Sequence, residues 1–300
     1  MKRFKILFFI VVAFAAASSV FAQDLKVLTI GNSFSRSLKT HFKKAAESVD
    51  GCRLEIGYAC FGGCELDRHW RYIQQEEKEG KKIYGGGKST LKEILQSKKW
   101  DIVTIQQASH KSWIADSYFP YAQNILDYIS KNCPGAKVYI QQTWSYRSDS
   151  PMLSSWNITQ EQMYRRLSQA YDLAAKRLGI RQIPTGLAVE LARKAIPDRF
   201  LLSRKDIDLS KYRYPDMPSQ SGDVVGKFFW KKDKKAQMRL YADTIHLNSY
   251  GEYLQACVWF AALYNRSATE IKYVPDNMSE SQALSFREIA DRAVKEYKGK

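Results

Sequence analysis

Apolar residues recur along the chain in short blocks separated by longer stretches with helical spacing. Residues 25–30, 54–58, 102–105, 137–141 and 180–183 are brief apolar, β-rich runs, most bounded by turn residues, and read as strands. Between and after them, residues 38–48, 66–79, 89–95, 121–130, 161–177, 187–194, 253–263 and 281–297 carry the spacing of helices. Thr90 and Glu93 are spaced as a capping box, and so are Ser249 and Glu252. Strands that alternate with helices predict βαβ units, hence an α/β domain with a mostly parallel, doubly wound sheet covered on both faces. No internal repeat or low-complexity linker interrupts the pattern. The one irregular stretch is 203–239, with Pro215, Pro218 and a cluster of Lys231, Lys232, Lys234 and Lys235. A structureless loop that long in a compact domain is usually functional or disordered, so an insertion beside the active-site mouth is expected.

The first 22 residues stand outside this pattern. Lys2, Arg3 and Lys5 precede an apolar run that closes on small residues, with Val20 and Ala22 placed for cleavage before Gln23. This is the form of a secretory signal peptide. The run is shorter than the roughly 20 residues of a membrane span, and no cysteine at the cleavage point offers a lipid anchor. The expectation is export to the periplasm or beyond as a single domain over 23–300, without a stable membrane anchor. Five cysteines make an odd count. Cys52, Cys60 and Cys64 are close enough in sequence for one local disulfide, and their spacing does not suit zinc. The net charge of +16 falls to +13 without the three leader cations. Lysines on solvated faces account for it, or else attraction to an anionic partner such as acidic polysaccharide. No nucleic-acid motif is present.

Doubly wound sheets bind ligands beyond the carboxyl ends of their strands, and two segments there can do chemistry. Gly31-Asn32-Ser33-Phe34-Ser35 follows the first strand and opens a helix. A serine there is either an N-cap or a nucleophile near backbone N–H groups that can hold an oxyanion. Asp243-Thr244-Ile245-His246 stands at the entry of the 253–263 helix. Asp and His three apart can point the same way, the carboxylate orienting the imidazole for proton transfer. Gly85-Gly86-Gly87-Lys88-Ser89-Thr90 looks superficially like a phosphate loop, but Lys82 stands where that pattern needs glycine, and the segment reads as a turn and helix cap. His41 and His69 fall on helices as surface or structural residues. His110, Trp144, Trp113 and Tyr146 follow strand ends, where His110 and Trp144 could contact substrate.

The block Leu28-Thr29-Ile30-Gly31-Asn32-Ser33-Phe34-Ser35 resembles the first block of the SGNH/GDSL hydrolases, and Asp243-x-x-His246 resembles their last. More narrowly, Gly62-Gly63-Cys64-Glu65-Leu66, the run from Trp100 to Ser109, and His246-Leu247-Asn248 leading into Gly251-x-Tyr253-Leu254 resemble a largely uncharacterised branch of that superfamily found in secreted bacterial proteins. The resemblance spans about residues 26–264. It implies a three-layer α/β/α sandwich, with Ser33 as nucleophile, His246 as general base and Asp243 orienting it. It also implies an oxyanion hole made by the Ser33 N–H, a glycine N–H after the second strand, and an amide side chain after the third. Gly63 is preferred to Gly62. Gln106 is preferred to Gln107, in place of the family's Asn. No metal or cofactor is called for.

The resulting expectation is an exported serine esterase acting on O-acyl, first of all O-acetyl, groups of carbohydrate. A lipase or thioesterase on the same fold is the nearest alternative. A non-catalytic carbohydrate-binding protein is the alternative of a different class.

Overall fold

The computed structural model describes residues 23–196, 200, 207–219 and 222–298. The expected signal peptide, and residues 203–206, 220 and 221 of the expected insertion, lie outside the described residues. All five predicted strands form: β1 (Gln23–Gly31), β2 (Cys52–Cys60), β3 (Ile102–Ile105), β4 (Lys137–Gln141) and β5 (Arg181–Ile183). They pair in parallel in the order β2-β1-β3-β4-β5. Every residue of β3 is buried, as is the inner half of β1, which is why these strands read as unbroken apolar runs. The order reverses between β1 and β3. The carboxyl ends of those two strands therefore flank the crevice where a doubly wound sheet accepts ligands.

Helices cover both faces, giving the three-layer α/β/α sandwich. On one side Leu38–Glu47, Thr185–Ala195, Ser249–Tyr264 and Glu280–Lys298 pack together. On the other side lie Leu66–Glu79, Leu91–Gln96, Tyr121–Asn132 and Gln160–Leu178. The Ser249–Tyr264 helix is apolar nearly all round because it sits between the sheet and its neighbours. Thr90 and Glu93 form the predicted capping box. At Ser249–Tyr264 the cap is Asn248 instead, one residue earlier than expected: its Oδ1 accepts the Tyr250 and Gly251 N–H groups. The Gly85-Gly86-Gly87 run is a tight turn with all three residues at positive φ.

The sequence reading is corrected at the insertion. Part of 203–239 is regular: β6 (Val225–Lys232) and β7 (Met238–Leu247) form an antiparallel hairpin separate from the main sheet. Asp243 and His246 therefore lie near the end of β7, directly before the helix they were expected to precede. The expected local disulfide is also absent, for all five cysteines are free and buried.

Two buried ion pairs fasten this hairpin to the sheet. Arg147, 1% exposed, holds Asp149 through Nε and Nη2 at 2.6 and 2.9 Å. Its guanidinium lies between the rings of Phe200 and Phe228, and its N–H bonds the Thr244 carbonyl at 2.9 Å. Arg193 Nε reaches both oxygens of Asp223 at 3.0 Å, and its remaining nitrogens bond Ser145. Asp223 in turn accepts the Val225 N–H at the start of β6. A bulge at Gly226 (φ 86°) lets β6 pass this cluster. A Cβ there would meet the Asp243 carbonyl at 2.8 Å and Arg147 Cζ at 3.0 Å. Replacing one member of a buried pair strands its partner's charge. We therefore expect Arg193→Met to lower the free energy of urea unfolding by about 3–5 kcal/mol. Arg193→Met combined with Asp223→Asn should recover part of that loss.

Candidate active site

The turn after β1 presents Ser33. Asn32 caps the short Ser33–Arg36 helix, its Oδ1 accepting the Phe34 N–H, while its Nδ2 donates to the Cys64 carbonyl at 3.1 Å. The turn after β2, with Gly63 at φ +58°, is thus tied to the residue beside Ser33. Phe34 turns inward and stacks on Trp144 with ring centroids 4.0 Å apart. Trp144 Nε1 donates to the Ile245 carbonyl. One indole therefore braces the residue after Ser33 against the residue before His246.

That brace brings together side chains 213 positions apart: His246 Nε2 lies 2.9 Å from Ser33 Oγ. His246 Nδ1 lies 2.8 Å from Asp243 Oδ2. An ionised carboxylate only accepts hydrogen bonds, so the ring proton belongs on Nδ1 and Nε2 is left to accept from the serine. Asp243 Oδ1 takes the N–H groups of Ile245 and His246, both at 3.0 Å. Burial alone would raise the Asp243 carboxyl. The bonds from the His246 ring and from the two backbone N–H groups outweigh it and hold the group well below the usual carboxylate range. The chain Ser33–His246–Asp243 is the geometry that moves a proton off a serine hydroxyl.

The serine opens into a cleft of about 300 Å³. Arg36, Lys227 and Glu252, none foreseen from the sequence, share its lining with Trp144 and the three relay residues. Burial raises the Glu252 carboxyl, opposed by Thr40, Lys227 and His246. A larger cavity of about 1050 Å³ lies at the opposite, amino-terminal edge of the strands and holds none of these groups, so chemistry and not volume identifies the site. Among the described residues, no group of three or more His, Cys, Asp or Glu side chains could hold a metal ion.

The other predicted site residues stand in different relations to the cleft. Gln106 is fully buried beneath the turn. Its Oε1 accepts Ser35 Oγ–H at 2.6 Å and its Nε2 donates to Asn32 Oδ1 at 2.6 Å. The expected oxyanion donor is therefore a tether that holds the nucleophile turn from below. Gln107 is spent as well, accepting the Leu66 and Ala108 N–H groups and donating to Ser117. Gly62 and Gly63 lie in an exposed turn, where no residue lies within 4 Å of either missing Cβ. Trp144 contributes to the cleft lining but is 0% exposed, held beneath by Phe34 and the Ile245 carbonyl. His110 is half-buried and bonds Glu65 Oε1 at 3.1 Å, away from the cleft lining.

His69 proves closer to the site than its helix suggested. Fully buried, it donates from Nε2 to the Gly31 carbonyl at 3.0 Å and accepts the Tyr84 hydroxyl at Nδ1. Burial pushes its imidazole down to about 4. No spacing in the sequence marks this contact, because it joins a helix to a strand end through a carbonyl.

The fold is a three-layer α/β/α sandwich, with a serine-histidine-aspartate relay at its switch point. The model of a domain of unknown function, DUF4886, matches residues 26–215, and the chain belongs to that family. A DUF4886 family protein from Bacteroides uniformis ATCC 8492, solved by crystallography, is 27% identical, with a TM-score of 0.71 over 93% of this chain and 97% of that one. An acetyl xylan esterase is 14% identical, with a TM-score of 0.43 over 80% of this chain and 100% of the other. A member of the lipolytic G-D-S-L family from Veillonella parvula DSM 2008 is 10% identical, with a TM-score of 0.45 over 81% and 100%. No curated protein matches the chain.

Two outcomes follow from the contacts below the turn. Gln106→Met should lower unfolding free energy by about 1–3 kcal/mol, since Asn32 and Ser35 each lose a buried partner. An oxyanion donor would instead cost turnover at unchanged stability. For His69, the unfolded ring titrates at 6.5 and the folded ring at about 4, so the unfolded chain binds the extra proton between them. The contribution is complete above pH 6.5 and is lost as pH falls toward 4. Over that window the wild type should lose roughly 3 kcal/mol more than His69→Gln. Parallel stability–pH curves for the two proteins would refute this account.

Proposed function

We propose that this protein is an exported serine hydrolase that cleaves ester bonds, with O-acetylated carbohydrate as its substrate class. The observation that carries the reading is the unbroken chain from Ser33 Oγ through His246 to Asp243, opening on a cleft of about 300 Å³. Ser33 attacks the acyl carbon as His246 Nε2 takes the hydroxyl proton. The imidazolium that forms is stabilised by Asp243, then protonates the leaving alcohol, and a water repeats the sequence on the acyl-enzyme. The Ser33 and Gly63 N–H groups serve as oxyanion donors. Both ends of the Gln106 amide are used beneath the turn, so the proposed hole rests on those two. A cleft near the small end of ligand pockets suits acetyl better than a long acyl chain. Export is supported by the form of the leader, a basic start followed by a short apolar run that closes on small residues.

A fluorophosphonate probe should label the wild type and spare Ser33→Ala and His246→Ala. Turnover of p-nitrophenyl acetate should fall at least about 10⁴-fold in Ser33→Ala, with the melting curve unchanged. Absence of labelling in folded wild type would remove the hydrolase reading, and faster turnover of the octanoate than of the acetate would make the protein a lipase or thioesterase.

A further inference from the structure

The hairpin that delivers Asp243 and His246 also has an open face. Side chains two apart on a strand share a face, and directly paired residues stand side by side. The register pairs Lys227 with Asp243, Phe229 with Tyr241, and Lys231 with Arg239. These six side chains form one strip running outward from the cleft, where Lys227 and Asp243 both line the wall. Phe229 and Tyr241 stack at the middle of the strip, with ring centroids 5.9 Å apart at 22°. Tyr241 is 39% exposed.

The alternate residues do the fastening. Phe228 packs on the Arg147 guanidinium. Trp230 meets Tyr214 edge-on and donates to the Pro215 and Asp216 carbonyls. Among the described residues, Lys227 and Lys231 on the other face are exposed and Phe229 is half-buried. Arg239 is held by Asp233 at 2.6 Å. Lys227 and Lys231 have no salt bridge among the described residues. From Val225 to Leu247 the hairpin carries six cations (Lys227, Lys231, Lys232, Lys234, Lys235, Arg239) against the carboxylates of Asp233 and Asp243. Glu252 is the other acid of the cleft lining.

A paired aromatic surface flanked by cations at both ends suits a chain of sugar rings that bears carboxylates: C–H faces lie on the rings and the acid groups meet the lysines. From Lys227 to Lys231 the strip runs roughly 13 Å, more than the width of one sugar ring. We infer that this face of the β6–β7 hairpin is a binding track for an acidic polysaccharide, leading it to the cleft that holds Ser33. The inference rests on the proposed hydrolase only for the role of that cleft, and binding can be measured without turnover.

The test is affinity electrophoresis of the full chain carrying Ser33→Ala, in gels containing polygalacturonate, neutral arabinoxylan, double-stranded DNA or no polymer. Polygalacturonate should retard it most strongly. Phe229→Ala with Tyr241→Ala, and separately the exposed Lys231→Glu, should each weaken retardation about tenfold. In the Ser33 background the same substitutions should leave p-nitrophenyl acetate turnover within about twofold, which also reports correct folding. Retardation by polygalacturonate that the aromatic pair does not affect, or that DNA equals, would overturn the track, as would stronger retardation by arabinoxylan. Loss of acetate turnover in the parent protein would count against the hydrolase alone and leave the binding result standing.

Discussion

The buried arginine–aspartate pairs that join the β6–β7 hairpin to the carboxyl edge of the sheet set the geometry of everything at the site. A two-stranded ribbon is marginally stable by itself, and this one makes no ladder with the five parallel strands. Yet it must place His246 within hydrogen-bond reach of a serine on the turn after β1. Arg147 and Arg193 accomplish that through directed bonds, to Asp149 from the first and to Asp223 and the Ser145 carbonyl and hydroxyl from the second. Apolar residues could fill the same volume with equal or greater stability. They would not specify the angle at which the ribbon leaves the sheet, because apolar contact has no direction.

The sheet was legible in the sequence because parallel strands covered on both sides are short apolar runs, and β3 has no exposed residue to break the run. The hairpin was not, for the opposite reason. Its residues alternate between a fastened face and an open one, so Lys227, Lys231 and Arg239 interrupt Phe228, Trp230 and Leu240. Against the proline and lysine content of the segment, that period of two was read as irregular chain. Asp243 and His246 were legible all the same, since their three-residue spacing and their place before the Ser249–Tyr264 helix do not depend on the strand that carries them.

The supporting roles of Gln106 and Trp144 were hidden for a common physical reason. Position along a strand end says that a side chain lies near the crevice, not whether it points into it or under it. The longer stem of Gln106 carries its amide beneath the turn to Ser35 and Asn32, where both ends of the amide are used. Trp144 is drawn down by its stacking on Phe34 and its bond to the Ile245 carbonyl. Both residues belong to the site as supports, and each acts by fixing a neighbour of a reacting group. His69 does the same from the other side through the Gly31 carbonyl.

The register of the hairpin decides which side chains face the cleft. A slip of one residue in β6 would turn Lys227 and Phe229 toward Arg147 and put Phe228 on the open face, because successive side chains point to opposite sides. The bulge between Val225 and Lys227 fixes that register. It can form only where a residue tolerates positive φ and offers no Cβ to Arg147 and the Asp243 carbonyl, which restricts the position to glycine. Gly226 is therefore where the buried ion pair, the direction of Asp243 and the identity of the open face are set together. A change there would alter all of them at once, though Gly226 itself carries no group that could take part in the chemistry.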